Sequence, residues 1–153
     1  MHRYNGTDFY VFRPVKGDKN SLYNNNIGTI CGDKQGHIYI RCKYAVVEYD
    51  IKKNTFHTIR DNDIQAITYD NARLWVCTRD SLFTYNRVED RLDYYYNLEG
   101  VRMSCVTEDS AGNLYVGTMN NGLYMIDHNK KWLNYFPKKD ITCIYEDSKK
   151  SIW

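Results

Sequence analysis

Three features of the amino-acid sequence predict an all-β chain. Aspartates 33, 70, 109 and 147 recur at spacings of 37, 39 and 38 residues, and each stands in a similar local sequence. The segments around them alternate large and small residues in the manner of short strands. Tyrosine is in excess, at 15 residues against two prolines, and aromatic side chains suit a pleated, half-buried surface. A period of this length with four short strands in it is the make-up of a propeller blade. The expectation is therefore a β-propeller fragment of four-stranded antiparallel blades, about four blade equivalents in total.

The elements follow in order along the chain. Residues 1–25 read as the end of a preceding blade and a linker, because His2 to Phe12 matches a third-strand end and a fourth strand. Blades are expected at 26–60, 61–100 and 101–138, and 139–153 reads as the first half of a further blade. On this reading the chain starts and stops within a blade, and its two half-blades are complementary. Pairs of apolar residues open each copy: Ile27 and Ile30, Ile64 and Ile67, Met103 and Val106, Ile141 and Ile144. A polar turn follows, for which Asp33, Asp70, Asp109 and Asp147 are suited because a carboxylate accepts backbone N–H groups and closes an Asx-type turn. Gly36 and Gly112 supply permissive backbone beyond two of these aspartates. The second copy is one residue shorter here and has no glycine, so its turn should differ in type.

Second strands are expected from Ile38, Leu74 and Leu114, third strands from Ala45, Ser81 and Gly122, and less regular fourth strands near 56–59, 92–96 and 132–136. No stretch holds a 3.6-residue apolar period, which disfavours helical solenoids.

The chemistry carried by single residues is sparse. The net charge of +2 is too small to imply a nucleic-acid partner, and no apolar run approaches the roughly 20 residues of a membrane span. Five cysteines without a CxxC pair indicate neither a zinc knuckle nor a full disulfide framework, and read as small packing residues. The four histidines lack metal-ligand spacing, so no metal, cofactor or catalytic group is assigned. The acidic pairs Glu108-Asp109 and Glu146-Asp147 resemble acid–base couples, but recurrence at one structural position argues that they shape turns. The variable loops after the second strand are the better place for a ligand, since loops tolerate change while blades hold position. Tyr44, Arg79 and Asn120 are the candidate ligand-binding residues there.

Cys105 to Asp127 reads C-V-T-E-D-S-A-G-N-L-Y-V-G-T-M-N-N-G-L-Y-M-I-D, and Cys143 to Trp153 begins the same pattern again. It resembles the two-component regulator propeller repeat, I-x-x-I-x-E-D-x-x-G-x-L-W-x-G-T-x-x-G-L-x-x-Y-D. The first two copies depart from it. Cys31-Gly32-Asp33 lacks the acidic pair, and Arg41 and Cys77 replace the glycine of the G-T element. The resemblance implies the periplasmic sensor region of an inner-membrane hybrid two-component protein that responds to oligosaccharides and controls transcription of polysaccharide-utilisation genes through a phosphorelay. On that reading the segment binds and does no chemistry, and kinase activity belongs to the parent protein. Its partners would be an oligosaccharide, the rest of the sensor chain and a second copy, joined through propeller edges or through dimerisation of the parent protein. A structural or protein-binding scaffold is the alternative, and a propeller hydrolase would need a convergent set of acids that the sequence does not show.

Overall fold

The computed structural model describes all 153 residues and contains strands and turns without a helix. No helix is therefore long and apolar enough to cross a membrane. The strands are β1 (His2–Tyr4), β2 (Phe9–Val11), β3 (Ile27–Gly32), β4 (His37–Cys42), β5 (Tyr44–Asp50), β6 (Thr55–Ile64), β7 (Ala66–Asp70), β8 (Arg73–Cys77), β9 (Ser81–Asn86), β10 (Arg91–Asn97), β11 (Arg102–Glu108), β12 (Leu114–Met119), β13 (Leu123–Ile126) and β14 (Trp132–Tyr135). They form one two-stranded sheet, β1-β2, and three four-stranded sheets, β3-β4-β5-β6, β7-β8-β9-β10 and β11-β12-β13-β14. Every pairing joins neighbours in sequence and is antiparallel, so each four-stranded sheet is an up-and-down blade. The fold is all-β and of the β-propeller type.

The chain divides into two compact units, Met1–Ile64 and Gln65–Trp153. In the first, the β1-β2 hairpin meets the β3–β6 blade through aromatic contacts. Phe12 lies 5.0 Å from Tyr49 and 5.2 Å from Phe56, and Tyr49 stacks on Phe56 at 4.7 Å. Arg3 donates to the Tyr49 hydroxyl at 2.7 Å, which gives the buried phenol a partner. Leu22, Ile40, Val47 and Tyr49 complete this core. Each large apolar side chain buried in this way contributes about 1.5–3 kcal/mol.

In the second unit two blades share one core, with Trp75, Cys77 and Leu82 from one and Met103, Val106, Leu114, Val116 and Ile126 from the other. Residues 141–153 add a short hairpin in which Tyr145 and Trp153 exchange main-chain hydrogen bonds and Glu146 bridges Ile152.

Two details differ from the strand pattern read from sequence. Ile64 ends β6, where it pairs with Tyr44, and does not open the next blade. The first strands β3 and β11 each carry a register shift, between Ile27 and Ile30 and between Met103 and Cys105. An extra residue there leaves one side chain out of the ladder. In β11 the displaced residue is Ser104, whose hydroxyl donates to the Ile141 carbonyl at the start of the terminal segment.

Candidate functional site

Each blade has two ends, and their residues behave differently. The end that holds the first-to-second turn is built around carboxylates. Asp33 Oδ1 accepts the N–H groups of Gln35 and His37, Asp109 Oδ1 those of Ala111 and Asn113, and Asp147 Oδ1 those of Lys149 and Ser151. Gly36 and Gly112 follow two of these aspartates in the left-handed region, at φ of 110° and 87°. Burial pushes the Asp109 carboxyl up, but hydrogen bonds from Asn113, Ala111 and Tyr115 outweigh it and hold the group below its ordinary range. Asp33 follows the same balance, with His37 and Gln35 as donors. At Asp147 the leading cause is the Trp153 indole, which donates to Oδ2 at 2.9 Å and lowers the carboxyl.

The same device recurs at the ends of third strands. Asp127 Oδ1 accepts from Asn129 and Lys131, and Asp50 Oδ1 from Lys52 and Lys53. These were not singled out from sequence, although the final aspartate of the repeat pattern marks both.

Asp70 is arranged differently. Its turn is a two-residue hairpin in which Asn71 and Ala72 both have positive φ, 45° and 61°, the signature of a type I′ turn. The carboxylate is left to bond elsewhere. It accepts from the hydroxyls of Thr68 and Thr107 and from the Glu108 N–H at 3.1 Å, so it links its own blade to the next one.

That link explains the acidic pair. While Asp109 closes its own turn, Glu108 reaches back to the preceding blade. It accepts from Trp75 Nε1 at 2.7 Å and Arg73 Nη2 at 3.0 Å, and its side chain is 2% exposed. Glu146 repeats the gesture one blade on, accepting from the N–H and hydroxyl of Ser110. The carboxylates of both pairs are thus engaged in turns and blade-to-blade contacts. Gly32 and Tyr69 occupy the glutamate position in the first two copies.

The opposite end carries the second-to-third and fourth-to-first loops. Thr118, fully buried, donates its hydroxyl to the Gly122 carbonyl at 2.6 Å, and Thr78 does the same to Ser81 at 3.2 Å. These threonines close the loops that hold two candidate residues. The Arg79 carbonyl accepts the Met103 N–H, and the Asn120 N–H donates to Asp140 Oδ1 at 2.6 Å. Fourth-to-first segments therefore clamp the second-to-third loops from behind. Asn120 has φ 66°, and Tyr44, in the first unit, has φ 67°. Positive φ at a bulky residue such as tyrosine costs energy, and such outliers concentrate at functional loops. Tyr44 is 56% exposed, with Lys43 Nζ 5.0 Å from its ring centroid. The structure places Arg79 and Asn120 on matching loops of adjacent blades and Tyr44 on the matching loop of the other unit.

Behind these loops the G-T glycine is set by space. A Cβ on Gly117 would strike Cys105 Sγ and lie 2.8 Å from Ile141 Cγ2. Where Arg41 replaces that glycine, Gly28 on the neighbouring strand clears room for the guanidinium. Burial pushes the Cys77 and Cys105 thiols up, as expected of packing residues. No group of three or more His, Cys, Asp or Glu side chains is placed to hold a metal ion. A separate open cleft of about 640 Å³ in the first unit lies between residues 14–23 and β6, lined by Lys16, Asp18, Lys19, Tyr23, His57 and Asp61 among others.

Comparison with known proteins bears on this geometry. Residues 97–120 match the family model described as two component regulator propeller. No curated protein matches the chain. Among solved structures, the chain is similar to an extracellular domain assigned to the hybrid two component system BT3049 of B. thetaiotaomicron. The TM-score is 0.81 at 23% identity, over 99% of this chain and 24% of that one. It is also similar to an extracellular domain assigned to the hybrid two component system BT4673 of the same organism, at TM-score 0.76 and 22% identity over 95% of this chain and 22% of that one. The chain thus spans about a quarter of the length of these relatives. Hydrazine synthase of Kuenenia stuttgartiensis shares the fold at TM-score 0.66 and 14% identity, over 90% of this chain and 43% of that one. One fold serves different chemistries, so the fold by itself assigns none. The residues at 97–120 carry more information, because there the sequence itself is similar to the two component regulator propeller repeat.

Proposed function

We propose that the chain is a ligand-sensing propeller segment of a hybrid two-component sensor, located outside the cytoplasm, that binds oligosaccharide and performs no catalysis. The observation that carries this reading is the family match at residues 97–120, supported by the fold shared with extracellular domains of hybrid two component systems. The blade end with carboxylates is engaged in holding turns and blades together, which leaves the opposite loops as the surface free to vary. Tyr44 offers an exposed ring, Arg79 and Asn120 offer polar groups, and the loops beneath them are braced by main-chain bonds. A braced loop is a good reporter, because ligand binding at one blade changes the packing of the next. The kinase, the phosphorelay and transcriptional control belong to the parent protein on this proposal, with an inner-membrane anchor between sensor and kinase.

The test is titration of the parent ectodomain with glycan fragments, comparing the native sequence with Tyr44→Ala, Arg79→Ala and Asn120→Ala. A loss of affinity in these variants supports the site. One observation favours a second reading: the Asn120 N–H and the Arg79 carbonyl already serve internal bonds. If affinity is unchanged in all three variants, these blades are scaffold and the ligand contacts lie elsewhere.

A further inference from the structure

The outermost strands of the three blades are not treated alike. In β6 the Phe56 N–H donates outward to the Asn20 carbonyl at 3.1 Å, so residues near 20 cover that edge. In β10 the Tyr95 carbonyl accepts Lys130 Nζ at 3.2 Å, and the ammonium also lies 5.1 Å from the Tyr95 ring centroid. The outward main-chain groups of β14 have no such partner. On the other side β14 is paired in full with β13, from Ile126↔Trp132 to Leu123↔Tyr135. An open row of N–H and C=O groups is a template for a further strand.

The side chains around that row are unusual for this protein. Trp132, Leu133, Tyr135 and Phe136 are between 41% and 64% exposed. Residues 128–139 contain four lysines, Lys130, Lys131, Lys138 and Lys139, and no carboxylate, in a chain whose net charge is only +2. The neighbouring acids are already committed. Asp127 closes its own turn through Oδ1, and Asp140 Oδ1 accepts the Asn120 N–H. Beside the strand lies an open cleft of about 560 Å³, lined by Tyr96, Met125, Trp132 and Leu133 together with Asp127, Lys130 and Lys131.

We propose that β14 is a docking edge for an extended acidic segment of another protein, which adds to the sheet as a fifth strand. Main-chain pairing supplies affinity in this mode and side-chain pockets supply selectivity. Apolar residues of the incoming strand would lie over Trp132 and Leu133, with its carboxylates opposite Lys131 and Lys138. A second copy of this chain is the poorer occupant, since pairing β14 with itself brings two lysine-rich segments together. An acidic sugar chain could meet the lysines but could not pair with the backbone.

The probe is a fluorescein-labelled peptide, Glu-Val-Thr-Val-Glu-Val-Thr-Glu, titrated into the 153-residue chain and followed by anisotropy. Hydrogen exchange of residues 132–136 is measured with and without peptide. The expected result is saturable, salt-sensitive binding, slowed exchange in β14, and affinity reduced about tenfold or more by Lys131→Glu with Lys138→Glu. Both lysines are exposed, and near-native tryptophan fluorescence is the check that the double variant keeps the fold. The inference is overturned by failure to bind, by binding without slowed exchange in β14, or by equal binding of an oligogalacturonate of the same charge. A sedimentation result showing dimers with β14 already protected would also overturn it.

Discussion

Replacing Glu108 by alanine removes the acceptor that two side chains of the preceding blade share. Trp75 is 1% exposed, so its indole N–H, now 2.7 Å from Glu108 Oε2, would have no other partner. A buried donor left unpaired costs about 1–3 kcal/mol. Arg73 is half exposed and can turn to water, so its part of the loss is about 0–1 kcal/mol. Together these give an expected destabilisation of about 1–4 kcal/mol for Glu108→Ala. Glu108→Gln keeps an oxygen for the indole and loses the charge opposite Arg73, so it should cost less, about 1–2 kcal/mol. Urea denaturation followed by tryptophan fluorescence is the assay. All three tryptophans, Trp75, Trp132 and Trp153, lie in the Gln65–Trp153 unit, so the signal reports on the blades that Glu108 joins. A change under about 0.5 kcal/mol for Glu108→Ala, within the range of ordinary surface substitutions, would refute the blade-linking role. So would equal losses for alanine and glutamine.

Other perturbations test the remaining parts of the fold. Ala72 holds φ of 61° beside Asn71 in the β7-β8 turn, where Asn-Gly is the favoured pair, so Ala72→Gly should raise the urea midpoint by an amount equivalent to about 1 kcal/mol. Gly117→Ala should destabilise the second unit, and adding Cys105→Ala should recover part of the loss by removing the sulfur that the new methyl strikes, leaving the Ile141 contact. Asp33 and Asp109 have depressed carboxyl pKa values in the fold, so their contribution is complete above the unfolded value near 4 and is lost as pH falls through the folded values. Urea midpoints should accordingly be flat from about pH 5 to 7 and fall below about pH 4, with a smaller acid loss in Asp109→Asn.

Much of the fold was legible because strand alternation and the aspartate spacing report backbone geometry directly. The three four-stranded blades follow from that pattern, and the shortened second turn announced its different type through the missing glycine. Boundaries were less legible. Ile64 looks like a strand opener in an alignment of copies, yet β6 extends to pair it with Tyr44, because strand length is set by the partner strand. Roles were the least legible of all. A sequence cannot show that Asp70 bonds across to Thr107 and Glu108 while Asp109 bonds within its own turn, since the difference arises from contacts between blades. For the same reason the acidic pairs read as turn-shaping residues throughout, and only their contacts show that Glu108 and Glu146 bond to Arg73, Trp75 and Ser110 of the preceding blade. The loop candidates were chosen by position, and the positive φ at Tyr44 and Asn120 is information that only the backbone supplies.

On the proposed function this propeller segment senses by binding and does not turn its ligand over. This is tested most directly by calorimetric titration of the parent ectodomain with a panel of defined oligosaccharides, with release of new reducing ends followed in the same samples. The expected result is saturable binding to a subset of the panel with every oligosaccharide recovered intact. Cleavage of a bound oligosaccharide, or no binding anywhere in the panel, would contradict it.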